Sequence, residues 1–235
     1  MIKFNKIWKH RHDFRNIFQS LYFNFHYLPF KAAIKLPILL YKPKLLELQG
    51  SVKIVCGKEI KYGMIRLGFP TVSLYPDTGI TIENYGGEII FNGTCSIGNN
   101  SYISIGEKGK VEFGDKFTAT TTFRLTSYDK IIFGERVIFG WNILVMDTDF
   151  HKLTKLSGGY NKGHAPILIG SNNWFGNGCK IMKRTQTPDF CVISADTILS
   201  GKIDAPEYCV IGNEQKIVVK ATGVWRNIDD DSIDY

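Results

Sequence analysis

The sequence predicts an all-β solenoid of parallel coils, because large apolar residues recur at every sixth position of its C-terminal part. Seven of nine successive positions are large and apolar and the other two are Thr and Ala: Ile169, Phe175, Ile181, Thr187, Ile193, Leu199, Ala205, Ile211 and Ile217. Glycine follows at Gly170, Gly176 and Gly212. Stacked coils explain a constant period of this kind, because each coil buries its apolar residues only against its neighbours.

The same six-residue step appears upstream and then meets a histidine. It runs through Phe133, Phe139 and Val145, and the next position is His151. Weaker pairs spaced by eight residues precede this run: Ile97-Gly98, Ile105-Gly106 and Phe113-Gly114. No helical pattern alternates with these β-rich segments, which disfavours a sheet covered by helices on both faces. We therefore predict a single β solenoid after about residue 50.

Composition and charge indicate a globular protein with an anionic partner. The chain has 235 residues, of which 44% are hydrophobic and 22% charged, and its net charge is +7. A basic balance favours a nucleotide, a membrane surface or nucleic acid without choosing between them. No nucleic-acid recognition motif is present, so we expect no nucleic-acid partner. The five cysteines form no CxxC pair and no secretion signal is seen, so we expect reduced thiols in a cytoplasmic protein.

The first 50 residues are basic and aromatic and differ from the repeat that follows. Residues 13–27 predict an amphipathic helix, with apolar positions at helical spacing: Phe14, Ile17, Phe18, Leu21 and Phe25. We expect Phe14, Phe18, Tyr22 and Phe25 to pack against the first coils and cap the open end of the solenoid. The alternative is a peripheral contact of the same segment with a membrane surface.

Two stretches resemble the hexapeptide-repeat acyltransferases. IGSNNWFGNGCKIMKRTQTPDFCVISADTILSGKIDAPEYCVIGNEQKIV is similar to the last coils of the galactoside, maltose, serine and polysaccharide O-acetyltransferases. FGERVIFGWNILVMDTDFHKL is similar to the catalytic coil of capsule and O-antigen members. The resemblance covers roughly residues 90–220. It implies a left-handed parallel β-helix of triangular cross-section, with about 18 residues per coil, that assembles as a homotrimer.

The resemblance places the catalytic histidine of the family at His151, which ends the motif DTDFH ahead of a non-repeating insert. Histidine suits the removal of a hydroxyl proton near neutral pH. Asp149 and Asp147 precede it at alternate positions of an extended chain, so either could orient the imidazole or bind a backbone turn. Asn142 is a candidate for substrate binding or else a corner residue. His164 is a second candidate base, an acceptor contact or a surface residue.

The resemblance also implies acetyl-CoA as the acyl donor, held along the C-terminal coils in the groove between neighbouring subunits. The expected donor site contains Trp174, Gly176, Asn177, Ala195 and Ser200, with Lys216 near the nucleotide phosphates. The small residues would serve equally well as ordinary corners of the coil. No metal is expected. The closing GNPAK of the family reads GNEQK here, and glycines are missing at Thr187-Pro188 and Ile193-Ser194.

We predict three parts: a leader at 1–50, a left-handed β-helix acyltransferase domain at 51–222 with a loop insert at 152–166, and a tail at 223–235. The expected reaction is acetyl transfer to a hydroxyl of a sugar or surface polysaccharide precursor by direct attack, with no acyl-enzyme. It would take place in the cytoplasm or at the inner face of the membrane. In this family the extruded insert embraces the neighbouring subunit and helps to close the site.

Three other functions stay open at this stage. An amino group of a nucleotide-linked sugar would also suit a histidine base. Some hexapeptide solenoids are carbonic anhydrases that hold zinc with three histidines, and here only His151 and His164 lie in the repeat region. A solenoid without catalysis, serving as a scaffold, is the remaining alternative.

Overall fold

A computed structural model of the chain describes residues 16–57, 59–213, 222, 224 and 225. Among these residues, two short helices precede the strands, α1 (Ile17–Tyr27) and α2 (Phe30–Ala33). Coils 1 to 3 contain β1 (Ile38–Leu40), β2 (Pro43–Leu48), β3 (Ser51–Ile54), β4 (Ile65–Phe69), β5 (Ile80–Asn84), β6 (Glu88–Phe91), β7 (Cys95–Gly98), β8 (Ser101–Ile105) and β9 (Lys110–Phe113). Coils 4 and 5 contain β10 (Phe117–Ser127), β11 (Lys130–Phe133), β12 (Ile138–Met146), β13 (Leu153–Lys155), β14 (Tyr160–Asn161) and β15 (Ile167–Ile169). The remaining strands are β16 (Trp174–Phe175), β17 (Lys180–Met182), β18 (Val192–Ile193), β19 (Ile198–Leu199), β20 (Val210–Ile211) and β21 (Val224–Trp225).

The strands form three parallel sides of one continuous coil. Side 1 is β1-β4-β7-β10-β12-β16-β18-β20, side 2 is β2-β5-β8-β10-β12-β17-β19, and side 3 is β3-β6-β9-β11-β15. The long strands β10 and β12 bend around a corner and supply both side 1 and side 2. The prediction of an all-β parallel β-helix with a short N-terminal helix is thereby confirmed. The left-handed sense of the coil stays a prediction.

The six-residue period marks the inward positions of the three sides. On side 1 the column is Phe139, Phe175, Ile193 and Ile211; on side 2 it is Val145, Ile181 and Leu199; on side 3 it is Phe113, Phe133 and Ile169. All of these except Ile211 are almost fully buried. The position after Val145 is occupied by an excursion, and the period resumes at Ile169 on side 3. Burial of these columns supplies the main stabilisation of the coil.

The corners use left-handed backbone conformations. Asn142 turns side 1 into side 2 in coil 5 with φ 55°, and Asp196 does so in coil 7 with φ 57°. Asn172 turns side 3 into side 1 with φ 58°. Asn and Asp tolerate this conformation better than most residues, because their short polar side chains bond locally. The sequence pattern of polar residues between apolar ones follows from these turns.

The helix α1 caps the solenoid by bonding the outer edge of β1. An uncovered edge strand leaves backbone N–H and C=O groups without partners. Three polar residues on one stripe of the helix supply them, with bonds from Lys42 N to Asn16 Oδ1 (2.8 Å), Leu40 N to Ser20 Oγ (2.9 Å) and Ile38 N to Asn24 Oδ1 (3.2 Å). Asn24 also donates from Nδ2 to the Ile38 carbonyl at 2.7 Å. Ser20 and Asn24 are completely buried.

The packing predicted for the aromatic residues of this helix is wrong. Phe18, Tyr22 and Phe25 are 81%, 57% and 45% exposed, and the buried face is the polar stripe together with Phe23. Phe14 lies outside the described residues. The physical reason is that the edge of β1 needs hydrogen-bond partners, so the helix turns its polar side toward the coil.

The first coil begins at Ile38, ahead of the boundary predicted at residue 50. Pro43 starts β2, which among the described strands pairs with β5 alone. Proline is acceptable at the first residue of such an edge strand, because no partner needs its missing N–H. Within the described part of the chain, neither helix has the length and apolar character needed to cross a bilayer.

Candidate active site

The excursion between β12 and β15 leaves the coil through a narrow neck formed by residues 147–149 and 163–165. Ala165 N donates to the Asp147 carbonyl at 2.9 Å, and Asp149 N donates to the Gly163 carbonyl at 2.7 Å. Residues 148 and 164 form an antiparallel bridge between these two bonds. The neck therefore holds both ends of the excursion together at the point where it leaves the coil.

His151 follows the neck and is half-buried. A Cβ added to Gly163 would lie 2.9 Å from the His151 carbonyl oxygen, so the two backbones are in close contact there. Phe150, just before it, has φ 60°, and its N–H bonds to Thr148 Oγ1 at 2.9 Å. This turn separates His151 from the strict alternation of a strand, so its side chain does not have to share a face with Asp149.

Asp147 is the best-connected residue of the predicted site. Its carboxylate accepts bonds from Ser127 Oγ (2.8 Å), Tyr128 N (2.7 Å) and Asp129 N (3.0 Å), and its side chain is fully buried. Burial raises its pKa, and the three bonds act in the opposite direction. Asp147 thus fixes a backbone turn of the preceding coil. Of the two roles expected for it from the sequence, orienting the imidazole or binding a turn, its contacts fit the second.

Asp149 is paired with a lysine that the sequence analysis did not identify. The ammonium of Lys183 contacts the Asp149 carboxylate and donates to the carbonyl oxygens of Lys162 (3.0 Å) and Gly163 (3.4 Å). The Lys183 side chain is only 14% exposed. One cation therefore ties the DTDFH segment to the far strand of the neck. No spacing in the sequence indicated this contact, because Lys183 comes from the following coil.

His164 lies in the neck with its ring held by a carboxylate. Its Nδ1 is 3.0 Å from Asp129 Oδ2, and the side chain is 14% exposed. In the neutral ring this bond places the proton on Nδ1. Its Nε2 is buried and has no hydrogen-bond partner among the residues the structure describes. His151 and His164 are both partly buried.

The predicted loop at 152–166 contains a β-hairpin. Its strands β13 and β14 pair in antiparallel fashion, and β21 pairs with the other edge of β13 through Thr154↔Trp225 and Lys155↔Val224. The segment assigned to a tail at 223–235 therefore contributes a strand to the insert. The glycines at the tip, Gly158 and Gly159, have φ 90° and 78°, as a tight reversal requires.

An acidic cleft lies beside the neck, and the sequence analysis missed it. It has a volume of about 350 Å³ and is lined by Glu83, Tyr85, Ser104, Gly106, Glu107, Tyr128 and Phe150. A Cβ at Gly106 would lie 2.9 Å from the Tyr128 ring, so this glycine lets the ring lie flat on the coil. The rings of Tyr128 and Phe150 meet edge to face at 5.1 Å. The only sequence signal was the glycine after Ile105.

The two carboxylates define the chemistry of this cleft. Glu83 accepts a bond from Ser104 Oγ at 2.6 Å and lies 3.4 Å from the Tyr85 hydroxyl. The negative charge of Glu83 raises the pKa of Tyr85. Glu107 is exposed at the rim. Aromatic rings next to hydrogen-bond acceptors suit a ligand with hydroxyl groups and an apolar face, and the acidic lining disfavours an anion.

Four of the predicted donor residues cluster at the corner between side 1 and side 2. Trp174 lies on the outer face of side 1 and is 53% exposed. Asn177 and Ala195 are exposed at the corner itself. A Cβ at Gly176 would lie 2.6 Å from Ala195 N, so this glycine is required for the close stacking of two coils.

The other predicted binding residues are Ser200, Asn142 and Lys216. Ser200 follows Leu199 on side 2, in the column that also contains Val145, and therefore lies near the corner from which the neck leaves. Asn142 turns side 1 into side 2 in coil 5, at the same corner as the four donor residues, and its side chain accepts a bond from Arg124 Nη2 at 2.6 Å. Side 2 separates the two corners by about 15 Å, at ~3.3 Å per residue. Lys216 lies outside the described residues.

Within the described ranges, no three His, Cys, Asp or Glu side chains are grouped as metal ligands would be. His164 lies beside Asp129, and the neighbouring Gly163 contacts the backbone of His151. None of the five cysteines forms a disulfide bond within the described part of the chain. Cys191 and Cys209 are stacked with their sulfurs 3.7 Å apart, and burial together with Cys209 raises the pKa of Cys191 to about 11.

Comparison with solved structures found the crystal structure of the polySia-specific acetyltransferase NeuO. The two chains are 16% identical, the match covers 80% of this chain and 90% of that chain, and the TM-score is 0.45. No family model and no curated protein sequence matched the chain. The function proposed below accordingly rests on the residues of this chain.

Proposed function

We propose that the chain is an acyltransferase that moves an acetyl group from acetyl-CoA to a hydroxyl of a sugar or surface polysaccharide precursor. The observation that carries the proposal is the neck, whose Gly163 is in close backbone contact with His151, the residue directly after Phe150, which lines the acidic cleft. A histidine fixed next to a hydroxyl-binding cleft has the position that a general base requires. The resemblance of DTDFH to the catalytic coil of the hexapeptide family supports the same role.

The reaction follows from that arrangement. His151 takes the proton of the acceptor hydroxyl while the oxygen attacks the thioester carbonyl carbon. The C–S bond then breaks, and the imidazolium returns the proton to the departing coenzyme A sulfur, so the base is regenerated. Direct attack needs no acyl-enzyme. The buried thiols fit this proposal, since burial raises the pKa of Cys95 and Cys179 and so disfavours their nucleophilic thiolates.

Asp149 is the carboxylate that we assign to positioning. Its contact with Lys183 fixes it against the neck, two residues before His151. Asp147 is already occupied by three donors of the preceding coil. A carboxylate that holds the imidazole in one orientation stabilises the imidazolium formed during proton transfer.

The acceptor is assigned to the acidic cleft. A pyranose ring presents an apolar face that can stack on Tyr128 and hydroxyls that can donate to Glu83 and Glu107. The volume of about 350 Å³ is at the lower end of the range of small-ligand sites. The two carboxylates favour a neutral or amino sugar over an acidic one. An amino sugar keeps transfer to nitrogen as the second candidate.

The donor site requires a second copy of the chain. Trp174 and Ala195 occupy one corner of the coil while the neck leaves from another, about 15 Å away across side 2. A neighbouring subunit would bring its Trp174 corner against the neck of the first. An exposed apolar column on side 1 supports such an interface, with Ile138, Trp174 and Val210 exposed by 45%, 53% and 71%. We expect a homotrimer, with Lys216 near the nucleotide phosphates.

The test is thiol release from acetyl-CoA with a panel of neutral, amino and acidic sugar acceptors. His151→Ala should lower an acceptor-dependent rate by about 10²–10⁴, as loss of a general base does. His26→Ala is the matched control, since His26 is exposed on α1, where it bonds to the Leu48 carbonyl and packs against the rings of Tyr22 and Tyr27. His164→Ala tests whether His164, rather than His151, is the base. A rate unchanged by His151→Ala would refute the assignment of the base, and absence of coenzyme A binding would refute the acyltransferase.

A further inference from the structure

The positive charge of the chain is concentrated at its N-terminal end. Residues 1–35 contain one acidic residue, Asp13, and seven basic ones: Lys3, Lys6, Lys9, Arg11, Arg15, Lys31 and Lys35. The difference is +6, out of a net +7 for the whole chain. The other 200 residues of the 235 are therefore almost neutral as a set. A segment with this charge attracts an anionic surface over about a Debye length.

An exposed apolar surface occupies the same end of the molecule. We call it the aromatic face; it consists of Phe18, Tyr22 and Phe25 on α1 together with Phe30 and Ile34 at α2. These side chains are 81%, 57%, 45%, 70% and 55% exposed. The rings of Phe25 and Phe30 lie 5.9 Å apart and join the two helices into one surface. The opposite side of α1 is fully used by the cap on β1, so the helix cannot rotate to bury this face.

We propose that the aromatic face docks on the surface of an anionic lipid bilayer. Such a surface uses both features at once, because its headgroups attract the basic residues and its acyl boundary accepts Phe and Ile. A polyanion such as nucleic acid or an acidic glycan would use the charge and leave the aromatic side chains in water. A second copy of this chain would bring two basic segments together. Residues 1–15 carry five of the cations, so folding them over the face would add like charge next to Lys31.

The docking would place the proposed active site close to the membrane. The cap lies on coil 1 and the neck leaves from coil 5, four strand spacings away along side 1. At ~4.8 Å per spacing, this is about 19 Å, and the thickness of α1 adds about 10 Å between coil 1 and the membrane. The acceptor would then be within reach if it were anchored to a lipid. This consequence rests on the proposed function, whereas the docking itself does not.

The experiment is co-sedimentation of the full chain with vesicles of phosphatidylcholine alone or mixed with phosphatidylglycerol. We expect binding only to the mixed vesicles, and weaker binding at high salt. Phe18→Ser with Phe30→Ser should weaken it about 100-fold, since each ring contributes roughly tenfold. Lys31→Gln should weaken it about fivefold. Leu74→Ser is the matched control, because Leu74 is 68% exposed but lies far along the chain from α1.

The outcomes are distinct. Binding that the double serine variant abolishes and Leu74→Ser leaves unchanged supports the docking. No binding to mixed vesicles overturns it, as does equal binding by the double variant, which would show attraction by charge alone. A change of oligomeric mass in the double variant without vesicle binding would assign the face to a second copy and also overturn it. Thiol release from acetyl-CoA is measured for all variants in solution without vesicles. This assay tests the proposed function independently of the docking.

Discussion

Replacing Asp147 by alanine should destabilise the fold more than it disturbs the chemistry. The carboxylate is fully buried and accepts bonds from Tyr128 N, Asp129 N and Ser127 Oγ. The hydroxyl can rotate to a new partner, but the two backbone N–H groups cannot. An orphaned buried donor costs about 1–3 kcal/mol, which gives about 2–6 kcal/mol for two. Removing a desolvated carboxylate offsets part of this, so we expect a loss of about 2–4 kcal/mol.

The assay is thermal unfolding followed by circular dichroism. For a chain of this size each kcal/mol shifts the midpoint by about 2–4 °C, so Asp147→Ala should lower it by roughly 4–16 °C. Asp149→Ala is the control, because it removes one partly exposed ion pair with Lys183, a class worth about 0–1 kcal/mol. The kinetic effects should be reversed, with Asp149→Ala losing more activity per folded molecule. Equal midpoints for the wild type and Asp147→Ala would refute the structural role of Asp147.

The pH dependence gives a second check on the same residue. Burial raises the pKa of Asp147 in the folded chain above its ordinary value of 3.8. The folded state therefore binds this proton more tightly than the unfolded state does, and the contribution of Asp147 to the free energy of unfolding falls as the pH rises from about 4 through the folded pKa. The stability difference between the wild type and Asp147→Ala should shrink over that window. A difference that grows with pH there would contradict the direction of the shift.

Two further predictions concern the neck and the cap. Lys183→Met should lower kcat about tenfold with little change in the KM for acetyl-CoA, because a misplaced base slows the chemical step. Lys183→Arg keeps the charge and should restore most of the rate. Steady-state kinetics measures both parameters, and a changed KM with normal kcat would assign Lys183 to substrate binding instead. Asn24→Leu should lower the free energy of unfolding in urea by about 2–6 kcal/mol, because it leaves the N–H and C=O of Ile38 without partners. The control Gln19→Leu changes an exposed residue of the same helix and should have little effect. An unchanged free energy of unfolding for Asn24→Leu would show that the cap bonds are dispensable.

The sequence predicted the solenoid because its period reports directly on packing. Each coil repeats the same three inward positions, so Phe139, Phe175 and Ile193 recur at fixed steps in the chain and stack at fixed steps in space. The same regularity located the excursion, since the step from Val145 falls on a polar histidine. Local interactions also explain the corners, where Asn142 and Asp196 adopt the left-handed conformation that their side chains tolerate.

The same reasoning could not orient the N-terminal helix. Its spacing of Phe18, Leu21 and Phe25 is typical of a buried apolar stripe, yet the partner of α1 is the outer edge of β1, which needs hydrogen bonds. Asn16, Ser20 and Asn24 have the same helical spacing and satisfy that need. A periodic pattern shows which residues share a face, but the chemistry of the opposing surface decides which face is buried.

The candidate site divides in the same way between the chain and its tertiary structure. The motif DTDFH and the insert after it indicated His151 from the sequence alone, because an interruption of a regular repeat can be recognised in the sequence. Three contacts of the site join different coils and follow no sequence motif. They are the contacts of Asp149 with Lys183, of His164 with Asp129 and of Tyr128 with Gly106. Only the stacking of the coils brings these residues together, because in a solenoid the neighbours across a side lie a whole turn apart in the chain.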